Sequence, residues 1–421
     1  MAQDTEAVER RKPGRPPKPS LEVHDLRGFK FFKRLRSLLD VLHSCAPHPN
    51  RLLHFDEYAA AILFYFFNPA ITSLRGLQEA TDLEKVQDRL GIRRMSLGSM
   101  SESVRLFDPE LLARVFEELA AQAPPRPIDP RLEDLQQVLT AADGTVLRAL
   151  PRMTWALWLR DTDRGAKLHV QFDVLRDTPA HVEVTAGRAS ESERLKVTLK
   201  SGRFYVMDRG FRDFGLLQAI VEADSSFAIR LHGNAVYEVI QEKALTPEAV
   251  AAHVVSDRIV RLGWGEKARA KLSVPVRLVE VQVPKSEPRG LGFHRKKVSS
   301  KKAFRRPAGE GYRLLIATNR LDLPADVIAL IYLHRWKVEL FFRLLKGLMG
   351  CSHLLSDSFE GVSIQVYCAL IATLLLAEYT GLRPSKRAYE LVALYLADWV
   401  TDEELVQRLA KLQRQAAAKR S

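Results

Sequence analysis

The hydrophobic pattern of this chain turns from helical to β-rich at a proline-rich break, and that change limits what it can fold into. Before the break, apolar residues recur at helical spacing. After Ala123-Pro124-Pro125-Arg126-Pro127 they alternate or gather in short β-rich blocks. A helical region joined by a linker to a mixed strand-and-helix region is the architecture implied. The 421 residues exceed what one hydrophobic core usually spans, which predicts two or three domains.

The first region, 21–127, reads as helical. Leu35, Leu38, Leu39 and Leu42 keep helical spacing, and Phe55 to Phe67 form a strongly apolar second helix stopped by Pro69. Two short helices follow, Ser73 to Ala80 and Leu83 to Leu90. Ser96 to Ser101 reads as a turn leading into a helix from Glu102 to Phe107. Asp108-Pro109 opens another helix, with Asp108 as N-cap and Pro109 in its first turn. A compact helical unit in a basic chain suits a DNA-binding domain, with room for a helix-turn-helix.

Beyond the linker, Gln137 to Leu147, Lys167 to Leu175, His181 to Thr185, Phe204 to Met207 and Ser226 to Leu231 read as strands. A helix over Phe211 to Glu222 lies between the last two. Residues 258–263 and 274–283 alternate at period two and define a β-rich insertion over 235–310. It ends in a run from His294 to Arg306 with seven Lys and Arg and no acid, read either as a loop or as a grip on phosphates. Tyr312 to Thr318 is a further strand. Pro324 to Leu348 reads as one long helix, and the chain is helical from there to its end. Val362 to Leu382 is long and apolar, but Ser363, Gln365, Glu378 and two tyrosines favour a buried core helix over a membrane span.

Net charge is +13 and the sequence pI about 9.6, which points to a polyanionic partner, nucleic acid being the commonest. The stretch Arg10 to Pro19 holds four prolines, one glycine and five basic residues, so helix and central strand are both closed to it. Its Gly14-Arg15-Pro16 core resembles an AT-hook, an extended basic segment suited to the minor groove; the plainer reading is a solvated basic tail over 1–20. Cys45, Cys351 and Cys368 make neither a disulfide framework nor a paired-cysteine zinc site, and they fit a reducing cytoplasm. Met1 to Arg11 has no apolar stretch of the kind that marks a signal peptide, so a cytoplasmic, nucleoid-associated protein is expected.

Three carboxylates stand in telling places. Thr140-Ala141-Ala142-Asp143-Gly144-Thr145 puts an acid inside an apolar β-run, and Tyr205-Val206-Met207-Asp208-Arg209-Gly210 puts another at a strand end. Such burial is unfavourable unless a partner or a metal compensates it. The third is Glu339, in Tyr332-Leu333-His334-Arg335-Trp336-Lys337-Val338-Glu339. At about 100° per residue, Tyr332, Arg335, Glu339 and Lys346 fall within an arc of about 60° on one helix face. Taken alone that face is an amphipathic surface with an Arg335–Glu339 pair. Two strand aspartates and a helical glutamate also make a donor set for hard divalent cations. Two such ions clamp the attacking and leaving oxygens of a phosphoryl displacement.

These residues resemble the DDE transposases of bacterial insertion sequences, specifically the insertion-sequence-four family. That family's signature of Tyr, Arg, Glu and Lys at fixed spacing is matched by Tyr332, Arg335, Glu339 and Lys346, and Asp143-Gly144-Thr145 and Asp208-Arg209 precede it in the right order. The resemblance covers residues 130 to 380 well and the N-terminal helices more weakly. The AT-hook-like tail is no part of it.

The resemblance implies an α+β fold. A ribonuclease H-like mixed-sheet core (130–234 and 311–382) would be split by the β-rich insertion, which accounts for the 131 positions separating Asp208 from Glu339. A helical DNA-binding domain would precede it, and C-terminal helices (383–421), suited to dimerisation, would follow. It implies that Asp143, Asp208 and Glu339 bind two Mg²⁺ or Mn²⁺ ions per site and that water activated there cuts DNA at the transposon end. The freed 3′-OH would then attack the opposite strand or target DNA. It further implies that Arg230, Tyr332, Arg335 and Lys346 hold phosphates, that Trp336 stacks on a distorted base, and that two copies act on paired inverted-repeat ends. Neither a membrane nor a small-molecule cofactor is expected. The competing readings are a decayed or repurposed transposase kept for DNA binding, another metal nuclease of the same fold, and a plain AT-hook regulator.

Overall fold

The computed structural model describes residues 39, 42–43, 53–68, 70–126, 129–148, 153–157, 163–263, 272–283, 312–348, 354–397 and 399–418. The AT-hook-like tail, most of the Leu35–Leu42 helix and the basic run 294–306 lie outside them.

Five helices open the described chain: α1 (Phe55–Phe67), α2 (Leu74–Thr81), α3 (Glu84–Leu90), α4 (Leu97–Ser103) and α5 (Pro109–Gln122). Every residue of α1 except Asp56 is buried, as an all-round apolar helix must be. Asp108 caps α5 through the Glu110 N–H at 3.0 Å, with Pro109 opening the helix, as the sequence predicts. The segment 96–107 differs from expectation. The helix starts at Leu97, because the Ser96 hydroxyl accepts from the Ser99 N–H at 3.0 Å and caps it. Serine spacing that reads as a turn is here a helix start.

The strands are β1 (Val138–Arg148), β2 (Gly165–Asp173), β3 (Thr178–Ala186), β4 (Arg203–Met207), β5 (Ser226–Leu231), β6 (Tyr237–Glu242), β7 (Val254–Leu262), β8 (Val276–Val283) and β9 (Tyr312–Thr318). Helices α6 (Glu191–Val197), α7 (Phe214–Glu222) and α8 (Pro247–Ala251) lie between them. All nine strands join one sheet in the order β3-β2-β1-β4-β5-β9-β8-β7-β6. β1, β2 and β3 are antiparallel, β4 and β5 run parallel to β1, and the rest are antiparallel. The first five form the mixed-sheet core that the resemblance implies. Two details differ. The strands of the 235–310 stretch extend the core sheet through β9, and α8 interrupts them. Helix α7 begins three residues later than expected, because a 3-10 turn at Arg209–Phe211 comes first and Asp213 caps α7 through the Gly215 N–H at 2.8 Å.

After β9 come α9 (Ala325–Leu333), α10 (Trp336–Leu348), α11 (Phe359–Thr380), α12 (Lys386–Leu396) and α13 (Asp402–Ala418). The long helix expected over 324–348 is therefore two helices. At the break, the N–H groups of His334, Arg335, Lys337 and Val338 bond back to carbonyls three residues earlier, a locally tightened 3-10 geometry. Lys337 leaves the break to donate to the Val174 carbonyl at 2.9 Å. Helix α11 has the length and hydropathy of a membrane span, but 89% of its apolar window is buried inside the protein, packed on α5 and α1. That agrees with the core-helix reading.

Two apolar cores sandwich the sheet. One lies between one sheet face and α1, α5, α9, α10 and α11. The other packs Ala142, Tyr205, Met207 and Ile229 under α7 and Leu195 of α6. The insertion strands are fastened by a buried ion pair: Asp257 on β7 accepts two bonds from Arg277 on β8, at 2.8 and 2.6 Å. Arg277 also donates to the carbonyls of Leu321 and Leu323, just past β9. Breaking a buried pair leaves an uncompensated charge, so Asp257→Ala is expected to lower unfolding free energy by about 3–5 kcal/mol. Urea unfolding followed by circular dichroism checks this, and a loss near zero would mean that the pair adds nothing.

Candidate active site

Parallel pairing of β1, β4 and β5 decides where the site forms. Ala142 pairs with Met207, and Met207 with Ile229. The next residues, Asp143 on β1, Asp208 just past the end of β4 and Arg230 on β5, therefore stand at one level. Side chains alternate across a sheet. Since Ala142, Met207 and Ile229 are buried under α6 and α7, Asp143, Asp208 and Arg230 belong to the opposite face, where α9 and α10 cross the strands.

Arg335, at the break between α9 and α10, enters this row. Its Nη1 lies 3.5 Å from Asp143 Oδ2, and its Nη2 donates to Glu339 Oε1 at 2.5 Å. Its guanidinium sits 6.0 Å from the centre of the Tyr332 ring, and the charge of Asp208 acts on both residues. Tyr332 is only 3% exposed, and its hydroxyl is buried with no hydrogen-bond partner among the described residues. Arg230 is half-buried and acts on the rings of Tyr332 and Tyr312. Asp143, Asp208, Arg230, Tyr332, Arg335 and Glu339 are thus brought together. Trp336 carries Arg343 over its ring at 4.5 Å, and Lys346 is exposed about two turns beyond Glu339. Gly14, Arg15 and Pro16 lie outside the described residues.

Burial pushes the Asp143 carboxyl up to about 7. Arg335 and the Gly144 N–H, 2.8 Å from its Oδ1, oppose the rise, while the Glu191 and Glu339 carboxylates add to it. Burial works to lower Arg335, but Tyr332, Glu339, Asp143 and Asp208 outweigh it and hold the guanidinium above its ordinary value. Burial raises the Tyr332 phenol as well.

Among the described residues, no group of three His, Cys, Asp or Glu side chains is gathered closely enough to grip an ion as it stands, since Arg335 sits between Asp143 and Glu339. The donor chemistry nevertheless fits a hard cation. All three candidates are carboxylates, and Asp208 Oδ1 is buried with no hydrogen-bond partner among the described residues.

Sequence reasoning missed Tyr312 and Glu191. Tyr312 starts β9, and burial pushes its phenol up to about 12 against the pull of Arg230 and Arg335. Glu191 opens α6, a helix the periodicity did not reveal. Its Ser-Glu-Ser-Glu context signals a helix start, and no spacing ties it to Asp143.

A carboxyl whose folded value is raised favours the folded state at low pH. That contribution is full below its ordinary value near 4 and is lost as pH rises through about 7. In EDTA, Asp143→Asn should therefore melt higher than wild type at pH 8, and the gap should shrink towards pH 5. Differential scanning fluorimetry across that range checks it; a gap constant with pH would mean that Asp143 is not desolvated.

The family model described as the transposase DDE domain matches residues 134–375, more than half of the chain and the span holding every element of this site. The protein named as transposase y4zB of Sinorhizobium fredii is 28% identical over 215 residues, covering 51% of this chain and 53% of its own length. A protein of Geobacillus stearothermophilus named as the transposase for insertion sequence element IS5377 is 27% identical over 233 residues, covering 55% of this chain and 54% of its own. The chain thus spans about half the length of these curated relatives. Among solved structures, the piggyBac transposase synaptic complex with hairpin DNA aligns over 95% of this chain and 84% of that one, at 11% identity and a TM-score of 0.41. With the family domain spanning the strand aspartates, the helical glutamate and the sheet that aligns them, this chain belongs to the DDE-domain transposase family.

Proposed function

We propose that this protein is a transposase of the insertion-sequence-four type, which cleaves DNA at the ends of a mobile element and joins the freed end elsewhere. The observation that carries the reading is the common level of Asp143 and Asp208 on paired strands, with Arg335 linking Asp143 to Glu339 across the cleft. Asp143, Asp208 and Glu339 would hold Mg²⁺ or Mn²⁺. Two such ions supply Lewis-acid activation of the attacking oxygen and neutralisation of the leaving one.

The chain's own residues account for the rest. The orphaned Asp208 Oδ1 is a donor in waiting. Arg335, held beside Asp143 and Glu339, would present its guanidinium fork to a phosphate, whose two oxygens it suits. Arg230 and Tyr332, on the cleft floor, hold the transferred end, and exposed Lys346 meets the backbone further along. Such contacts position DNA without reading its sequence. Trp336 stacks on a base near the cut, exchanging Arg343 for it. The helical region 21–127 and the AT-hook-like Gly14-Arg15-Pro16 add binding on either side of the cut. Two copies act together on paired ends, in the bacterial cytoplasm at the nucleoid.

The test is cleavage of labelled DNA carrying the element's ends, with Mg²⁺ or with EDTA. Wild type should nick at the element boundary only with metal, and Glu339→Ala should lose at least a hundred-fold in rate, of the order seen when a group acting only in the transition state is removed. Tight binding by both proteins with no cut by either would instead identify a DNA-binding descendant that has lost catalysis.

A further inference from the structure

Glu191 reaches the centre from the wrong side of the sheet. Gly144 follows Asp143 on β1 and faces the α6 layer, because neighbouring strand residues alternate between faces. A Cβ on Gly144 would stand 2.6 Å from Glu191 Oε1 and 2.9 Å from its carboxyl carbon. The other Glu191 oxygen lies 3.7 Å from where a Cβ on Gly210 would be, two residues after Asp208. The carboxylate thus lies in the gap left by the missing Gly144 side chain, between the segments carrying both strand aspartates. Lys167 on β2 holds it there at 2.9 Å and donates to the Ala189 carbonyl just before α6 at 3.2 Å. Asp143 and Glu191 line one small cavity, together with His169, Gln171, His181 and Glu183.

A surface ion pair at a helix start needs none of this. It needs no glycine on the neighbouring strand and no cavity shared with a buried aspartate. We infer that Glu191 is a fourth acidic residue of the centre, a positioning residue that reaches through the Gly144 gap to fix the Asp143 segment and strengthen the cleft's hold on a divalent cation. The glycine of the Asp143-Gly144-Thr145 motif is required because any side chain there would expel Glu191. Lys167 sets the opposing charge, so it moderates the same affinity. The inference rests on the proposed metal-dependent centre.

The test uses the full chain and Mn²⁺ alone, with bound ion read by electron paramagnetic resonance and folding by thermal melting. Glu191→Gln keeps the shape and removes the charge. It should weaken Mn²⁺ binding roughly ten-fold, the loss usual when a supporting carboxylate is removed. Gly144→Ala should weaken it similarly, and the two losses should not add in the double variant. Lys167→Gln should tighten it, whereas Glu193→Gln, an exposed neighbour on α6, should change nothing. If Glu191→Gln and Lys167→Gln lose thermal stability alike while neither moves Mn²⁺ affinity, Glu191 is only a structural partner of Lys167 and the inference fails. Asp143→Asn separates the two levels: if it abolishes Mn²⁺ binding while Glu191→Gln does not weaken it, only this inference falls. If wild type binds no Mn²⁺, the metal-centre reading falls with it.

Discussion

Like charges do not share a buried cleft without something positive between them. Asp143, Asp208 and Glu339 come from three separate stretches of chain, and the sheet and helices bring them together although their mutual repulsion opposes it. Arg335 is what makes this tolerable, touching two of the three and acting on the third. The break between α9 and α10 serves the same end, since this arginine is one of the two residues, with His334, that leave the regular helix there. Burial is the main reason the Asp143 carboxyl stands above its ordinary value, with Glu191 and Glu339 adding to the rise and Arg335 opposing it, so a proton or a cation beside it is favoured.

Much of this was legible in the sequence because it rests on local rules. The Phe204–Met207 run ends at Asp208 as an apolar strand ends at a charge. The β-run around Asp143 is long enough to be central, and the Tyr332, Arg335, Glu339 and Lys346 spacing is local by nature. The helix break was not legible, because residues 325–346 contain no proline or glycine. It arises from tertiary bonds such as Lys337 to the Val174 carbonyl, which periodicity cannot see. Glu191 was hidden for a related reason. Its link to Asp143 passes through the absence of a side chain at position 144, and a glycine in a strand pattern says only that something approaches closely.

The nine-stranded sheet explains how an insertion of this size coexists with an exacting site. β6, β7 and β8 attach through β9 to β5, the strand that carries Arg230. The Asp257–Arg277 pair and its bonds to the Leu321 and Leu323 carbonyls fasten that extension where the chain turns back towards α9. The insertion is thus continuous with the floor of the cleft through backbone hydrogen bonds.

The order of elements along the chain also sets when the centre comes into being during synthesis. Asp143, Asp208 and Arg230 can take their places once β5 has emerged from the ribosome, but Arg335 and Glu339 follow more than a hundred residues later. Until they arrive, the nascent sheet carries strand aspartates with neither the helical arginine nor the third carboxylate, and β5 lacks its partner β9. Long-range pairing of this kind is slow to close. A chain released before residue 339 therefore lacks one of the three acids outright. On this gene order, a prematurely terminated product cannot assemble the full centre, whatever DNA its N-terminal helices hold.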